Sequence, residues 1–252
     1  MKKTINPGTT ILDTIASYFD HISIIGEYTK SYNKITSKTF EDAISVLNDP
    51  SIRVFVEWNQ EIKELEYSLL LNPIDNRISF ESDQTDVVFS ATLLNYGKPM
   101  RTMVLNRYLL RSVKWNAKLA RGGEWNKFRP LKVSSKNTLE KAKIVVVDFS
   151  NEAIGYIYNN LKRQKSHIST SKSLAYTAAL IADGQKDSAI VFFDKNKIAI
   201  SMAAAILLVK EAGGRVLKFD GSEITDPFEK TQGCIFLNSG IHFKTIKKII
   251  IK

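Results

Sequence analysis

The pattern of apolar and polar positions divides this chain into three regimes. Near the start, Ile11, Leu12, Ile15, Ala16 and Phe19 recur at helical spacing within residues 9 to 25. A second helical pattern covers Thr39 to Leu47 and is closed by Asn48-Asp49-Pro50. From Ile52 the period shortens. Ile52 to Trp58 is rich in β-branched and aromatic residues and predicts a strand, as does the apolar run from Leu65 to Leu71. Strand-like runs follow at Val87 to Leu94 and at Met100 to Val113, separated by the hairpin signal Asn95-Tyr96-Gly97-Lys98-Pro99. Together they predict a mostly antiparallel sheet.

The last regime alternates strand and helix. Lys143 to Phe149 and Ser188 to Phe193 predict strands, while Glu152 to Gln164 and Ser173 to Ala182 predict helices. A strongly helical run then begins at Ser201, a good N-cap residue, and stops at Gly213-Gly214. A strand at Arg215 to Phe219 and a terminal helix near Ile241 to Ile250 complete the pattern. Lys162-Arg163-Gln164-Lys165 ends one predicted helix, where cations suit the negative end of the dipole.

Composition narrows the picture. With 252 residues, 44% of them hydrophobic, the chain can bury a large core as one big domain or two small ones. The change of regime predicts a first domain over residues 1–135 and a second over 136–252. Net charge is +10, from 36 Lys and Arg against 26 Asp and Glu. That balance points to polyanions such as nucleic acid, phosphorylated metabolites or an acidic protein face, and drift toward lysine produces the same balance. One nucleic-acid candidate is the basic stretch Lys114, Lys118, Arg121, Lys127, Arg129 and Lys132, interleaved with Trp115, Trp125 and Phe128. A solvated hairpin with its aromatic residues packed underneath gives the same pattern. The single cysteine, Cys234, permits no internal disulfide and suits a reducing cytoplasm and a core position. Met1-Lys2-Lys3 is not followed by an apolar stretch, and no run approaches the ~18 residues of a membrane span, so a soluble cytoplasmic protein is expected. His21, His167 and His242 are scattered, and there is neither a Gly-x-Ser-x-Gly elbow nor a Walker phosphate loop.

The most informative stretch is Leu69-Leu70-Leu71-Asn72-Pro73-Ile74-Asp75-Asn76-Arg77, where an apolar run ends in a polar turn. It resembles the Asp-Pro-Ile-Asp-Gly-Thr signature of the inositol monophosphatase superfamily, with Asn72 at the first aspartate, Asp75 at the second and Asn76-Arg77 in place of Gly-Thr. Ser201-Met202-Ala203-Ala204-Ala205 with Glu211-Ala212-Gly213-Gly214 resembles the family's Trp-Asp-x-Ala-Ala-Gly…Glu-Ala-Gly-Gly helix, with Ser201 at the aspartate. Lys30 to Thr39 resembles its Lys…Asp-x-Val-Thr-x-x-Asp segment, Thr39 replacing the last aspartate, and Ala120 to Ser134 its glycine-rich hairpin.

This resemblance implies an α/β layered αβαβα sandwich, and relatives that hydrolyse phosphate monoesters with magnesium, usually as homodimers. It places Glu57, Asp75 and Ile74 at metal positions, with Asn72 and Ser201 as neutral replacements, and Glu57 and Asp75 as remnants of the catalytic set. It places Asp194, Ser173 and Arg77 near a small phosphorylated metabolite, Lys172 standing where glycine is usual. Arg77 can fill an emptied metal position or grip a phosphate. Magnesium prefers hard anionic oxygens. At 4 Å, near a protein surface, one unit charge pair is worth about 4 kcal/mol. Two missing carboxylates therefore predict weak or absent metal binding and impaired hydrolysis. The rival expectation is a non-catalytic protein like the extragenic-suppressor (SuhB) branch, which binds transcription machinery, or one with a nucleic-acid partner.

Overall fold

The structure, a computed structural model, describes residues 52–57, 59–72, 75, 88–106, 113–116, 121–124, 129–148, 154–193 and 200–250. The helical patterns predicted before residue 50, and Ile74, Arg77 and Asp194, lie outside the described residues.

The first sheet has seven strands in sequence order: β1 (Arg53–Phe55), β2 (Tyr67–Asn72), β3 (Val88–Asn95), β4 (Lys98–Asn106), β5 (Val113–Asn116), β6 (Arg121–Glu124) and β7 (Arg129–Pro130). All neighbours are antiparallel except β1 and β2, which run parallel. The run predicted as one strand from Met100 to Val113 is divided: β4 ends at Asn106 and β5 starts at Val113. Strand β4 also begins earlier than expected, because the β3–β4 turn needs only Tyr96 and Gly97, both at positive φ (46° and 73°), the geometry that matches strand twist. The centres of β2, β3 and β4 are buried on both faces, which explains why they read as apolar runs rather than alternations. Two of their polar exceptions pair with each other: Thr92 and Thr102 face each other across β3 and β4 with hydroxyls 2.8 Å apart.

The second sheet has the order β11-β12-β10-β8-β9. Its strands are β8 (Lys143–Asp148), β9 (His167–Ser171), β10 (Ser188–Phe192), β11 (Arg215–Lys218) and β12 (Gly233–Leu237). Strand β8 lies parallel to β9 and β10, and β12 runs antiparallel to β10 and β11. The edge strand β9 was not predicted. Its sequence, His-Ile-Ser-Thr-Ser, has a single large apolar residue, and its strand state is imposed by pairing with β8.

Four helices of eight residues or more complete the described architecture: α1 (Ile154–Arg163), α2 (Leu174–Ala182), α3 (Met202–Glu211) and α4 (Phe243–Ile250). Helices α2 and α3 are apolar nearly all round, as a helix buried on every side must be. They form the middle layer. Their core joins Val88 and Val104 of the first sheet to Val145, Val147, Val191 and Phe236 of the second. Alternation along β8 sends Ile144 and Val146 to the opposite face, where they meet Ile157 and Leu161 of α1 and Ile246 and Ile249 of α4. Among the described residues the layers are therefore sheet, helix pair, sheet, helix pair. Among the described residues no helix is long and apolar enough to cross a membrane.

Candidate functional site

The polar turn after β2 is held against the middle helical layer. Asn72 closes β2 opposite Ser90 of β3, and the Asp75 amide donates to the Val88 carbonyl at 2.9 Å. The turn thereby delivers the Asp75 carboxylate to the N-terminus of α2. There Oδ2 accepts from the Ser173 hydroxyl at 2.6 Å and from the Ala175 amide at 2.8 Å. Oδ1 accepts from Asn72 Nδ2 at 2.7 Å, and the Ser201 side chain donates a further hydrogen bond. A carboxylate offers about four acceptor sites. Asn72, Ser173 and Ala175 take three of them, and the Ser201 side chain competes for the remainder.

The local sequence explains this convergence. Ser173 is the N-cap of α2, and its hydroxyl accepts from the Tyr176 amide at 3.1 Å while donating to Asp75. Ala175 lies in the first turn of α2, where a backbone amide has no acceptor within the helix, so it is open to a side chain arriving from outside. Helix N-termini attract anions, and α2 receives one from within the chain. Ser201 was expected to cap α3. Instead it has helical backbone angles (φ −65°, ψ −6°) and makes no capping bond. Its hydroxyl serves Asp75, a charged acceptor that outweighs a neutral amide partner.

Burial pushes the Asp75 carboxyl above its ordinary value, while the bonds from Ser173, Ser201, Ala175 and Asn72 pull it back; burial prevails. Asn72 has a settled orientation, because only its NH2 can face a carboxylate. Its carbonyl oxygen therefore points away from Asp75.

Other expected residues separate into three groups. Asn72, Asp75, Ser173 and Ser201 come together. Glu57 is exposed just beyond the end of β1. Ile74, Arg77 and Asp194 lie outside the described residues. Lys172 is half-buried, and its ammonium donates to the Asp148 backbone carbonyl at the end of β8. His167 and His242 are exposed, and Cys234 is buried in the core with its thiol pushed well up by burial. Sequence reasoning missed the Ala175 amide as a site group and assigned Ser173 only to substrate. The spacing of Ser173 to Tyr176 at a helix start was the signal available for its capping role.

Among the described residues, the donor set around Asp75 does not fit a magnesium cluster. Among the described residues no three carboxylate, imidazole or thiol side chains gather in a group that could hold a metal ion. A cation at Asp75 would have to displace hydrogen-bond donors that the fold itself supplies. A shallow cleft beside the start of α3 is lined by Phe193, Met202, Asp226 and Glu229 among others. Its two carboxylates are already paired, Asp226 with Lys63 at 2.5 Å and Glu229 with Lys218 at 3.0 Å.

Comparison with known proteins gives a consistent picture. The model of the inositol monophosphatase family matches residues 8–250. No curated protein sequence matches the chain. Among solved structures, a dual-specific IMPase/NADP phosphatase bound with D-inositol-1-phosphate is similar at TM-score 0.78 and 19% identity, over 96% of each chain. A Ca-bound IMPase family protein from Staphylococcus aureus is similar at TM-score 0.71 and 18% identity, over 96% of this chain and 92% of that one. The extragenic suppressor protein suhB from Bartonella henselae is similar at TM-score 0.70 and 20% identity, over 87% and 84%. At such identities the structures establish a shared fold.

Proposed function

We propose that this chain, which belongs to the inositol monophosphatase family, keeps the family scaffold while its metal-dependent phosphomonoesterase activity is weak or lost. The observation that carries this reading is the saturated carboxylate of Asp75. Phosphate-ester hydrolysis of this kind uses clustered cations to activate water and to steady charge on the attacking and leaving oxygens. A cation needs anionic oxygens with lone pairs free. Asn72 and Ser201 carry no charge, and both point donors at Asp75, whose acceptor sites they help to fill. Each missing carboxylate removes about 4 kcal/mol of attraction at 4 Å before desolvation is counted. That is on the order of a thousandfold in affinity.

The direct test is phosphate release from inositol 1-phosphate, followed with and without magnesium. The expected result is turnover at least about a thousandfold below that of a family phosphatase with its full set of acidic residues, assayed in parallel. Comparable magnesium-dependent turnover would overturn the reading. The triple substitution Asn72→Asp, Arg77→Thr and Ser201→Asp restores the family residues at three positions. Calorimetry is expected to show magnesium binding to this variant that is absent from the parent.

A further inference from the structure

We infer that the outer face formed by α1 and α4 binds the phosphate backbone of a nucleic-acid duplex without reading its sequence. This inference rests on a different part of the molecule and stands whether or not hydrolysis is retained.

The two helices lie side by side on the outer face of the second sheet. Asn160 Nδ2 donates to the Ile249 carbonyl at 3.2 Å, satisfying one of the unpaired carbonyls at the end of α4 and bringing the two C-terminal ends together. Neither helix contains an acidic residue. Lys162 and Arg163 of α1 and Lys244 and Lys248 of α4 are all exposed, and none has an ion-pair partner among the described residues. Lys244 and Lys248 are one turn apart, about 6 Å along the helix, on the same side. Among the described residues, carboxylates occur only at the margin of this face. Glu140 lies 4.0 Å from Lys165, and Asp220 is influenced by Lys247, whose ammonium sits 5.6 Å from the centre of the Phe243 ring.

Helix capping accounts for part of this pattern but not all of it. Cations in a last turn are favoured by the dipole, which suits Lys162, Arg163 and Lys248. Lys244 is in the first turn of α4, where the dipole disfavours a cation and no acidic residue compensates. A partner carrying negative charge supplies the missing compensation.

The chemistry of the face selects among polyanions. A helix that binds a bilayer surface sinks its apolar side into lipid. Here those sides are spent: Ile157, Leu161, Ile246 and Ile249 are buried against the sheet. Among the described residues the large hydrophobic side chain left exposed is Tyr96, on the β3–β4 turn of the other sheet. Single-stranded nucleic acid is held by exposed aromatic rings on which bases stack. Tyr156 and Tyr158 are instead packed partly against the core. Exposed cations that have no ion-pair partner and no exposed aromatic neighbour among the described residues match the backbone of a duplex, whose charge is regular and independent of sequence.

Fluorescence anisotropy of the full chain with short mixed-sequence DNA and RNA duplexes, repeated from about 50 to 200 mM salt, tests this. Four phosphate contacts predict a slope of log affinity against log salt of about −3.6 on B-DNA. The variant K162Q/R163Q/K244Q/K248Q should bind at least about tenfold more weakly and lose most of that slope. The matched variant K98Q/K143Q/R215Q/K230Q, which removes four exposed cations elsewhere, should stay within about twofold of the parent. Binding of either duplex with this pattern supports the inference. Equal losses in both variants, tighter binding to phosphatidylserine vesicles than to duplex, or no duplex binding at the lowest salt would each overturn it.

Discussion

Replacing Asp75 by alanine asks whether this carboxylate is a ligand kept ready or a junction that holds the fold together. In the structure it ties the turn after β2 to α2, accepting from Asn72 at 2.7 Å, Ser173 at 2.6 Å and Ala175 at 2.8 Å. Hydrogen bonds to a charged group contribute about 1.5–3 kcal/mol each. Their sum overstates the effect, because burial holds the Asp75 carboxyl above its ordinary value and so offsets part of the gain. Alanine would leave at least two donors facing a small void, at about 1–3 kcal/mol apiece, with water able to rescue some of them. A loss of about 2–4 kcal/mol follows. For a chain of this size that is a fall in Tm of about 4–16 °C. The assay is urea and thermal unfolding in metal-free buffer, followed by circular dichroism. A carboxylate held in place for a metal costs stability when the metal is absent, and removing it raises Tm. An unchanged or raised Tm for Asp75→Ala would therefore refute the junction and, with it, the saturation of this carboxylate as the cause of impaired metal binding.

Three further outcomes follow from separate parts of the structure. Asn238 is fully buried, donates to Ser134 Oγ at 2.7 Å and to the Lys136 carbonyl at 2.9 Å, and accepts from the amides of Gly240 and Ile241 at 3.1 and 2.8 Å. Asn238→Ala should cost about 2–4 kcal/mol in urea unfolding, and a loss below about 1 kcal/mol would show that the loop reorganises freely. Lys165 ends α1 in the left-handed region at φ 56°, and its exposed contact with Glu140 at 4.0 Å adds little. Lys165→Gly should therefore raise stability by about 0.5–1 kcal/mol, and a decrease would mean that the side chain packs. The Ser222 hydroxyl and amide hold the Asp220 carboxyl below its ordinary value of 3.8, with smaller help from Lys218 and Lys247. A lowered folded-state value means stability that is present above pH 3.8 and lost as pH falls through the folded value. The urea midpoint of the parent should thus fall toward that of Asp220→Asn on acidification, and a pH-independent difference would contradict it.

Much of the architecture was legible because it depends on local periodicity. Strands β2, β3, β8 and β10 and helices α2, α3 and α4 were marked by apolar runs or helical spacing, which neighbouring residues set among themselves. Strand β9 was not, since a polar edge strand takes its conformation from the strand it joins. The division of Met100 to Val113 into two strands was hidden for a related reason. Both pieces suit a strand equally well, and pairing between β4 and β5 decides where each ends.

The same boundary runs through the candidate site. Sequence alone determined its charge: Asn72 and Ser201 are neutral whatever surrounds them, and Asp75 is the acid that remains in the turn. It also determined that α1 and α4 carry cations and no carboxylates. Only the tertiary structure decided where these groups point. The Ser173 hydroxyl and the Ala175 amide meet Asp75 from 98 and 100 positions away, and Ser201 turns its hydroxyl to that carboxylate rather than to its own helix. Hydrogen-bond satisfaction of a half-buried charge is a long-range condition, so it is written in no single stretch of the chain. Folding brings these donors to one carboxylate from distant parts of the chain, and no local pattern reveals that convergence.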